Sequence, residues 1–592
     1  MQTISSLHNR EASCLEDVSE RIMRQTLEAF IYEGIMDVDK SGKEWIFTGK
    51  GADGGSVRYS CQADEKWSFG RIKIKPGSIR REGDACRNIY TFLEEVIQNK
   101  LDGLLVNQFI QELLETLVKD KQSKELQAER IPGEDRHYEA LESHMTDGHP
   151  YHPSYKSRIG FSLADNLAYG PEFNQNVHIR WIAVNRELAD VAVSTETSLD
   201  EIYSQHLTED EMTLFKQIVQ ERGSKDKQYV FLPVHPWQLG HRIQSLFVQQ
   251  WTDQDIVDLG ASSSAYRAQQ SIRSLSHRGN AQASYIKLAL SITNTSTSRI
   301  LAHHTTQNAP LISSWLHKII QHDPLLQREG FQILREVMGI SFQYDKLPPV
   351  QYRLAYGTLG AIYRENISTC LEANEEAWPL NALFYTQRNG EPFIEEAIDQ
   401  YGIVAWSKEL IRTVTLPIIH LLYAHGIALE SHAQNIILVV ENNFPKRIII
   451  KDLHDGVRYT PDKLLKPDWA PKLHPEPETH RKFNRYSFLQ TESVSEVRDY
   501  TFDAFFFICM SEICFALEKF GLSEHEFWQM CAQTILDYQQ EHPEYQERYE
   551  MFDLFSEAVL VEEMTKRRIY GDGELYFRNV KNALRLAKDL LS

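Results

Sequence analysis

Asn435 and Asp452 stand 17 positions apart in the stretch HGIALESHAQNIILVVENNFPKRIIIKDLHDG, residues 425–456, and each carries a side-chain oxygen. A carboxylate and an amide oxygen at one strand edge suit a hard cation such as Mg2+, which takes one or two protein carboxylates and leaves its other positions to phosphate and water. To act together the two residues must be brought back to one place. The order of the segment does this: a helix ends at Gly426, a loop carries Glu430, His432, Gln434 and Asn435, and two strands flank the turn Glu441-Asn442-Asn443-Phe444-Pro445. A hairpin over that turn sets Asn435, which opens the first strand, beside Asp452, which closes the second.

That layout resembles the metal-holding segment of kinases, where an Asn and an Asp bind the cations. ATP chemistry is the first hypothesis, set against a hairpin whose polar ends are ordinary turn residues. A second motif, Gly49-Lys50-Gly51-Ala52-Asp53-Gly54, formally fits G-x-G-x-x-G. A dinucleotide site needs a helix after the glycines to offer its first amides to pyrophosphate. Here Ser56-Val57-Arg58-Tyr59-Ser60 reads as a strand, so the glycines are expected to form a hairpin loop.

Three clusters occupy the middle of the chain. In GHPYHPSYKSRIGF, residues 148–161, two prolines keep the backbone out of helix, so His152, Lys156 and Arg158 form a stiff donor set suited to a polycarboxylate. Its H-x-x-H lacks a third ligand and an HExxH helix, which argues against zinc. In AQQSIRS, residues 268–274, with Lys287 and the run 293–299 after it, hydroxyls and amides can donate to phosphate oxygens. Lys287 adds a point charge, and Arg273 and Arg299 each offer a fork of donors. No G-x-x-x-x-G-K-[ST] is present, so a triphosphate cradle would be built from side chains; a Ser/Thr-rich strand end is otherwise an ordinary turn or cap. LPVHPWQ, residues 232–238, ends a strand in a rigid turn, and a packed Trp with a satisfied His explains it as well as a site does.

The bulk composition narrows the partners. With 63 basic and 83 acidic residues the net charge is −20, against a nucleic-acid or anionic-membrane partner, so an anionic substrate must be met by a local basic cluster. The chain of 592 residues, 42% hydrophobic, is long enough for about three to four structural units. Seven scattered cysteines without a C-x-x-C pair fit a reducing cytoplasm. No export signal or membrane span is expected, the longest apolar stretch, 416–429, being broken by His420 and His425.

Helical spacing of Leu15, Val18, Ile22, Leu27 and Phe30 predicts a helix over 13–34, and short strands follow at 45–48, 57–61 and 67–74. Helical stretches fill 86–128, and a polar run places a boundary near 135, closing a helical, strand-poor first unit. Strands at 177–184, 229–234 and 285–292 alternate with helices up to about 350, and helices are expected at 405–426, 501–519, 524–541 and 579–591.

Taken in order, GHPYHPSYKSRIGF, PVHPWQ, AQQSIRSL, YIKLALSITNTSTSRI, YGTLGAIYRE, GIALESHAQNIILV, KDLHDG and TKRRIY closely resemble the IucA/IucC family of siderophore synthetases that work without a peptide-synthetase assembly line. The resemblance implies a hand-like α+β fold, often a homodimer. Its parts would be a mostly helical thumb over 1–135, mixed α/β fingers over 136–350 carrying the phosphate and carboxylate clusters, and a palm over 351–592 with the kinase-like hairpin. It implies that Mg-ATP adenylates a carboxylate of citrate or a related acid, and that the acyl group passes to an amine or alcohol. HPYHPSYKSRIGF looks closest to members acting on citrate that already bears one amine arm, and the amine would be a diamine, a polyamine or an amino acid.

Carried onto this chain, the resemblance puts Ser271, Arg273, Ser274 and Lys287 at the ATP phosphates. Glu430, His432, Asn435 and Asp452 would surround nucleotide and Mg2+, with Glu430, Asn435 and Asp452 as metal ligands. His152, Arg299 and Gln434 would face the acid, with Lys156, Arg158 and Arg364 as further basic residues near it. The family commonly has Thr where Ser274 stands, and the hydroxyl survives the difference. Lys287 and Arg299 would neutralise charge on phosphate and pyrophosphate, no covalent nucleophile is required, and His432 is the candidate for taking the amine's proton. The runner-up is a small-molecule phosphotransferase releasing ADP, opposed by Ala428, Glu430 and His432 where a kinase has H-x-D. A third reading, a non-enzymatic binder of iron-loaded polycarboxylates, would leave the ATP residues without use.

Overall fold

The apolar stripe of the first helix is realised in Gln2–Tyr32, which buries Val18, Ile22, Leu27 and Phe30 and leaves Leu15 exposed. The structure, a computed structural model, describes residues 2–127, 136–145, 147–295, 297–387, 390–482, 488–571 and 576–591. The boundary expected near 135 and Ser296 of the run 293–299 lie outside the described residues. The glycine motif is a hairpin loop, since Glu44–Lys50 and Ser56–Glu65 pair antiparallel on either side of it. The first unit departs from the strand-poor expectation: six strands make a sheet between the helix Gln2–Tyr32 and the helix Val106–Gln127. Three of them, Asp39–Ser41, Arg80–Arg81 and Asp84–Ala85, are two or three residues long, too short to show an alternating pattern.

The central sheet has six antiparallel strands in the order Tyr266–Ala268, Ser274–His277, Tyr285–Leu288, Gly360–Arg364, Glu336–Phe342 and Ala189–Val193. A boundary at 350 does not divide this structure. Gly360–Arg364, beyond it, lies inside the central sheet, and Gln332–Ile333, before it, pairs parallel with Phe444–Ile450 in the next sheet. A strand order set by non-local pairing leaves no composition break to read. The helix His303–His322 lies flat on this sheet because Gly339 has no side chain: a Cβ there would stand 1.8 Å from the carbonyl oxygen of Thr306.

The last region carries a four-stranded sheet, Gln332–Ile333, Phe444–Ile450, Ile436–Glu441 and Glu375–Pro379 in that order, backed by the helix Ile403–His420. The run Val494–Phe520 is long and apolar enough to cross a membrane, yet 78% of its apolar window is buried inside the protein. It is a core element that the sequence reading, which took 416–429 as the longest apolar stretch, undervalued. Phe507 packs on Tyr32 at 5.8 Å between ring centres, and Trp528 on Phe69 at 5.2 Å, so the first unit and the last helices share one core.

Candidate active site

Local chemistry shapes the hairpin. The helix Ile403–His420 runs on through the wider turn Leu421–His425 and stops at Gly426, whose φ of 74° is left-handed. Ile436 pairs with Ile450 and Glu441 with Phe444, and the two residues between, Asn442 and Asn443, take φ of 53° and 65°. Two left-handed asparagines make the tight turn that matches strand twist. Past the last pair, the Lys451 amide donates to the Asn435 carbonyl at 3.0 Å, so Asn435 and Asp452 do meet at one edge. Asn435 Nδ2 also donates to the Glu430 carbonyl at 3.1 Å, which ties the loop acid to the same edge.

Asp452 is the electrostatic centre. Its Oδ1 accepts from Arg364 Nη1 at 2.5 Å and lies 3.0 Å from Lys287 Nζ. Burial opposes its charge, but Lys287 and Arg364 hold the carboxyl well below the usual range. Lys287 pairs in register with Ser274, and burial lowers its own pKa. Arg273 Nη1 donates to the carbonyl oxygens of Arg299 at 2.9 Å and Ile300 at 2.7 Å, fixing its plane. The backbone between Ser271 and Arg273 is bent at Ile272, a buried β-branched residue with φ of 70°, and Asp452 itself has φ of 65°. Such conformations persist only where the surroundings over-determine them.

Glu142 supplies part of that determination. Its Oε1 accepts from Lys451 Nζ and from Tyr138 Oη, both at 2.6 Å, and its Oε2 accepts the Gln270 amide at 3.0 Å. One buried carboxylate thus clamps the residue before Asp452 to the residue before Ser271.

The cavity enclosed here measures about 1760 Å³, and all the expected site residues except Ser274 and Arg364 line it. Ser274 Oγ is buried without a partner, its amide donating to Ser271 Oγ at 3.2 Å. Arg364 bonds Asp452 and reaches Gln269 Oε1 at 3.0 Å, so it braces the hairpin without lining the cavity. His152 Nε2 is buried with no partner, and burial, with His149 beside it, holds that imidazole neutral. Lys156 and Arg158 line the cavity with their charges already engaged: Lys156 Nζ sits 2.6 Å from Asp120, and Arg158 makes two bonds of 2.9 Å to Glu172. His432 lines the same cavity, and burial depresses its pKa against the pull of Glu430 and Asp452. Arg299, likewise lowered by burial, donates through Nη2 to the Asn294 carbonyl at 3.2 Å.

Two residues absent from the sequence-based set complete the centre. His454 Nε2 lies 3.3 Å from Lys287 Nζ and its Nδ1 2.5 Å from Glu336 Oε1, and Glu336, Asp452 and His454 bring ligand atoms within 4.8 Å of one another. His454 stood in the quoted KDLHDG; Glu336, one acid in an apolar strand, carried no signal.

A sequence model described as the IucA / IucC family matches residues 137–385, and one described as Ferric iron reductase FhuF-like transporter matches 404–577. The chain is 40% identical, over 96% of its length and 93% of the relative's, to a Staphylococcus aureus protein named 2-[(L-alanin-3-ylcarbamoyl)methyl]-3-(2-aminoethylcarbamoyl)-2-hydroxypropanoate synthase. It is 35% identical, over 97% of its length and 94% of the relative's, to the Bacillus anthracis citryl-spermidine/3,4-dihydroxybenzoyl-citryl-spermidine:spermidine ligase. The crystal structure of the petrobactin biosynthesis protein AsbB from Bacillus anthracis str. Sterne superposes with a TM-score of 0.90 at 34% identity, covering 99% of each chain. The ATP-bound aerobactin synthetase IucA from Klebsiella pneumoniae shares the fold, with a TM-score of 0.71 at 17% identity over 96% of this chain and 99% of that one. Because both full-length relatives span the two matched regions at these identities, the chain belongs to the IucA/IucC family.

Proposed function

We propose that this protein is an ATP-dependent siderophore synthetase that adenylates a carboxylate of citrate or of a citrate monoamide and joins it to an amine, releasing AMP and pyrophosphate. The observation that carries the reading is the meeting, in one cavity, of a side-chain phosphate cradle with the Asn435–Asp452 edge, in a family whose named relatives are synthases and ligases of citrate amides. A carboxylate oxygen attacks the α-phosphorus of ATP and pyrophosphate leaves. Arg273, Lys287 and Arg299 donate to the oxygens on which charge grows. His152, neutral and unpartnered at Nε2, and Gln434 orient the acid. The amine nitrogen then attacks the acyl carbon, AMP departs, and a neutral His432 takes the proton.

The donor set around Asp452 fits Mg2+: Asp452 is held ionised, Asn435 and Glu430 add oxygens at the same edge, and Glu336 Oε2 is buried without a partner. Bound there, Mg2+ supplies charge neutralisation to the phosphates. On this reading the regions work as thumb, fingers and palm, with the hairpin on the palm, in a cytoplasmic homodimer. The cysteine usage supports the compartment.

The test is a product assay with Mg-ATP, citrate or a citrate monoamide, and an amine panel. AMP, pyrophosphate and a new amide are expected, and the better acid separates a first-step from a late-step enzyme. ADP with a phosphorylated product would replace the adenylation reading by phosphoryl transfer. Glu142→Gln keeps the volume of the clamp and removes its charge from Lys451. It is expected to lower kcat about 10- to 100-fold, by misplacing the two loops, with KM for the acid changed less than about threefold. Equal losses in both parameters across all substrates, with a fallen melting temperature, would instead mark a general folding role.

A further inference from the structure

Away from the active-site cavity, Asp323, His420 and His425 bring three ligand-type atoms together from two distant parts of the chain. Asp323 Oδ2 lies 2.9 Å from His420 Nε2 and 2.9 Å from His425 Nε2, and the three atoms stand within 4.8 Å of one another. None of the three residues lines that cavity.

The backbone is wound in a way that makes this meeting possible. On a regular α-helix two side chains five positions apart point about 140° away from each other. His420 closes the α-helix Ile403–His420, and the π-type turn Leu421–His425 that follows widens the winding, so both imidazoles come to one face. Such turns occur frequently at functional sites.

The partners behind the three atoms set their directions. Asp323 caps the helix Pro324–Arg328, its Oδ1 accepting the amides of Leu325 and Leu326 at 2.9 Å each, which leaves Oδ2 for the histidines. His420 Nδ1 lies 2.7 Å from Tyr538 Oη, so the ring is held with Nε2 toward Asp323. An outer partner on the second ring nitrogen is the usual support of a metal-binding histidine. His420 and His425 are buried, while Asp323, 9% exposed, keeps an edge open for entry from solvent. Among the described residues no lysine or arginine pairs with Asp323, so its charge is left for a cation to answer.

We infer that Asp323, His420 and His425 hold one Zn2+ ion, with water in its fourth position. Two imidazoles and a carboxylate suit a borderline-soft cation and not Mg2+, which takes oxygen ligands. Ligand atoms around tetrahedral Zn2+ stand about 3.3 Å apart, so the two N···O distances need lengthen by only about 0.4 Å. Bound there, the ion fastens the root of the active-site loop, since Gly426, the strand Ile427–Leu429 and then Glu430 follow His425 directly.

Untagged protein, stripped with a chelator and dialysed, is titrated with Zn2+ against a chromophoric chelator. One equivalent is expected to bind, and His420→Gln and His425→Gln are each expected to weaken it at least about 100-fold, more than loss of an outer partner costs. Glutamine still donates to Asp323, so the hydrogen bond survives while the ring ligand is gone. Zn2+ should raise the melting temperature of the unaltered protein and not that of either variant. Asp452→Asn, at the active-site edge, should leave the Zn2+ affinity unchanged. Anomalous diffraction at the zinc edge locates the ion without any substitution, and a peak between His420 and His425 is the expected result. No bound Zn2+, a peak at the Asp452 edge alone, or undiminished affinity in both histidine variants would make the three residues a hydrogen-bonded triad only and overturn the inference.

Discussion

Arg273→Ala is expected to slow citrate-dependent pyrophosphate exchange by about 10²- to 10³-fold, the loss seen when one preorganised donor is removed from a developing charge. Two backbone carbonyls, at 2.7 and 2.9 Å, hold one nitrogen of the guanidinium, so its remaining donors meet the cavity at a set angle. Burial and the neighbouring Arg299 lower its pKa to about 10, which leaves it charged at neutral pH. Arg273→Lys is not expected to restore the rate, because a single ammonium cannot keep both carbonyls and still offer a fork. Steady-state exchange kinetics decide the role. A fall in kcat marks an interaction made as pyrophosphate departs, whereas a rise in the KM for ATP alone would make Arg273 a ground-state contact and contradict this assignment.

Glu172→Ala is expected to cost about 3–5 kcal/mol of stability, because it leaves a buried cation without its partner. Glu172 is 1% exposed, accepts both Arg158 bonds and a 2.6 Å bond from Ser123 Oγ, and stands 3.6 Å from Lys156. Burial alone would raise its carboxyl, but Arg158 and Lys156 hold it at about 2, below the ordinary 4.5. The sign follows from that direction. The folded state favours the ionised form, so this stabilisation is complete above about pH 4.5 and is lost as pH falls toward 2. Urea unfolding at pH 7 and at pH 3 checks both points: the gap between wild type and Glu172→Ala should narrow in acid. An equal gap at the two pH values would show that lost packing, not charge, sets the cost.

These ion pairs also show where sequence stops being informative. Lys156 and Arg158 were visible as cations in a stiff, proline-flanked segment, and a donor set for a polycarboxylate was a fair expectation. Their partners were not visible, since Asp120 lies 36 positions away and Glu172 14 positions away, on separate helices. The hairpin was legible for the opposite reason. Its register is set by a two-residue turn and a bulge next to it, both within the hairpin, so local residues determine which ends meet. Ser271, Arg273 and Lys287 could be singled out because hydroxyls and basic donors cluster within a short span, and all three line the cavity, whereas Ser274 does not. The bond from Arg364 to Asp452 could not be read, because the strand carrying Arg364 enters the central sheet by pairing with residues nearly 80 positions earlier, Tyr285 opposite Arg364. Glu336 meets His454 across 118 positions, and only the folded chain reveals that contact.

The core shared by the first unit and the last helices has a consequence for synthesis. Tyr32 and Phe69 are made well before their partners, Tyr32 475 positions ahead of Phe507 and Phe69 459 ahead of Trp528. At about 5–20 residues per second, the interval between Tyr32 and Phe507 is roughly 25–95 s. Through that interval Tyr151 is the aromatic neighbour of Tyr32 already made, and the contact with Phe507 waits on the later part of the chain.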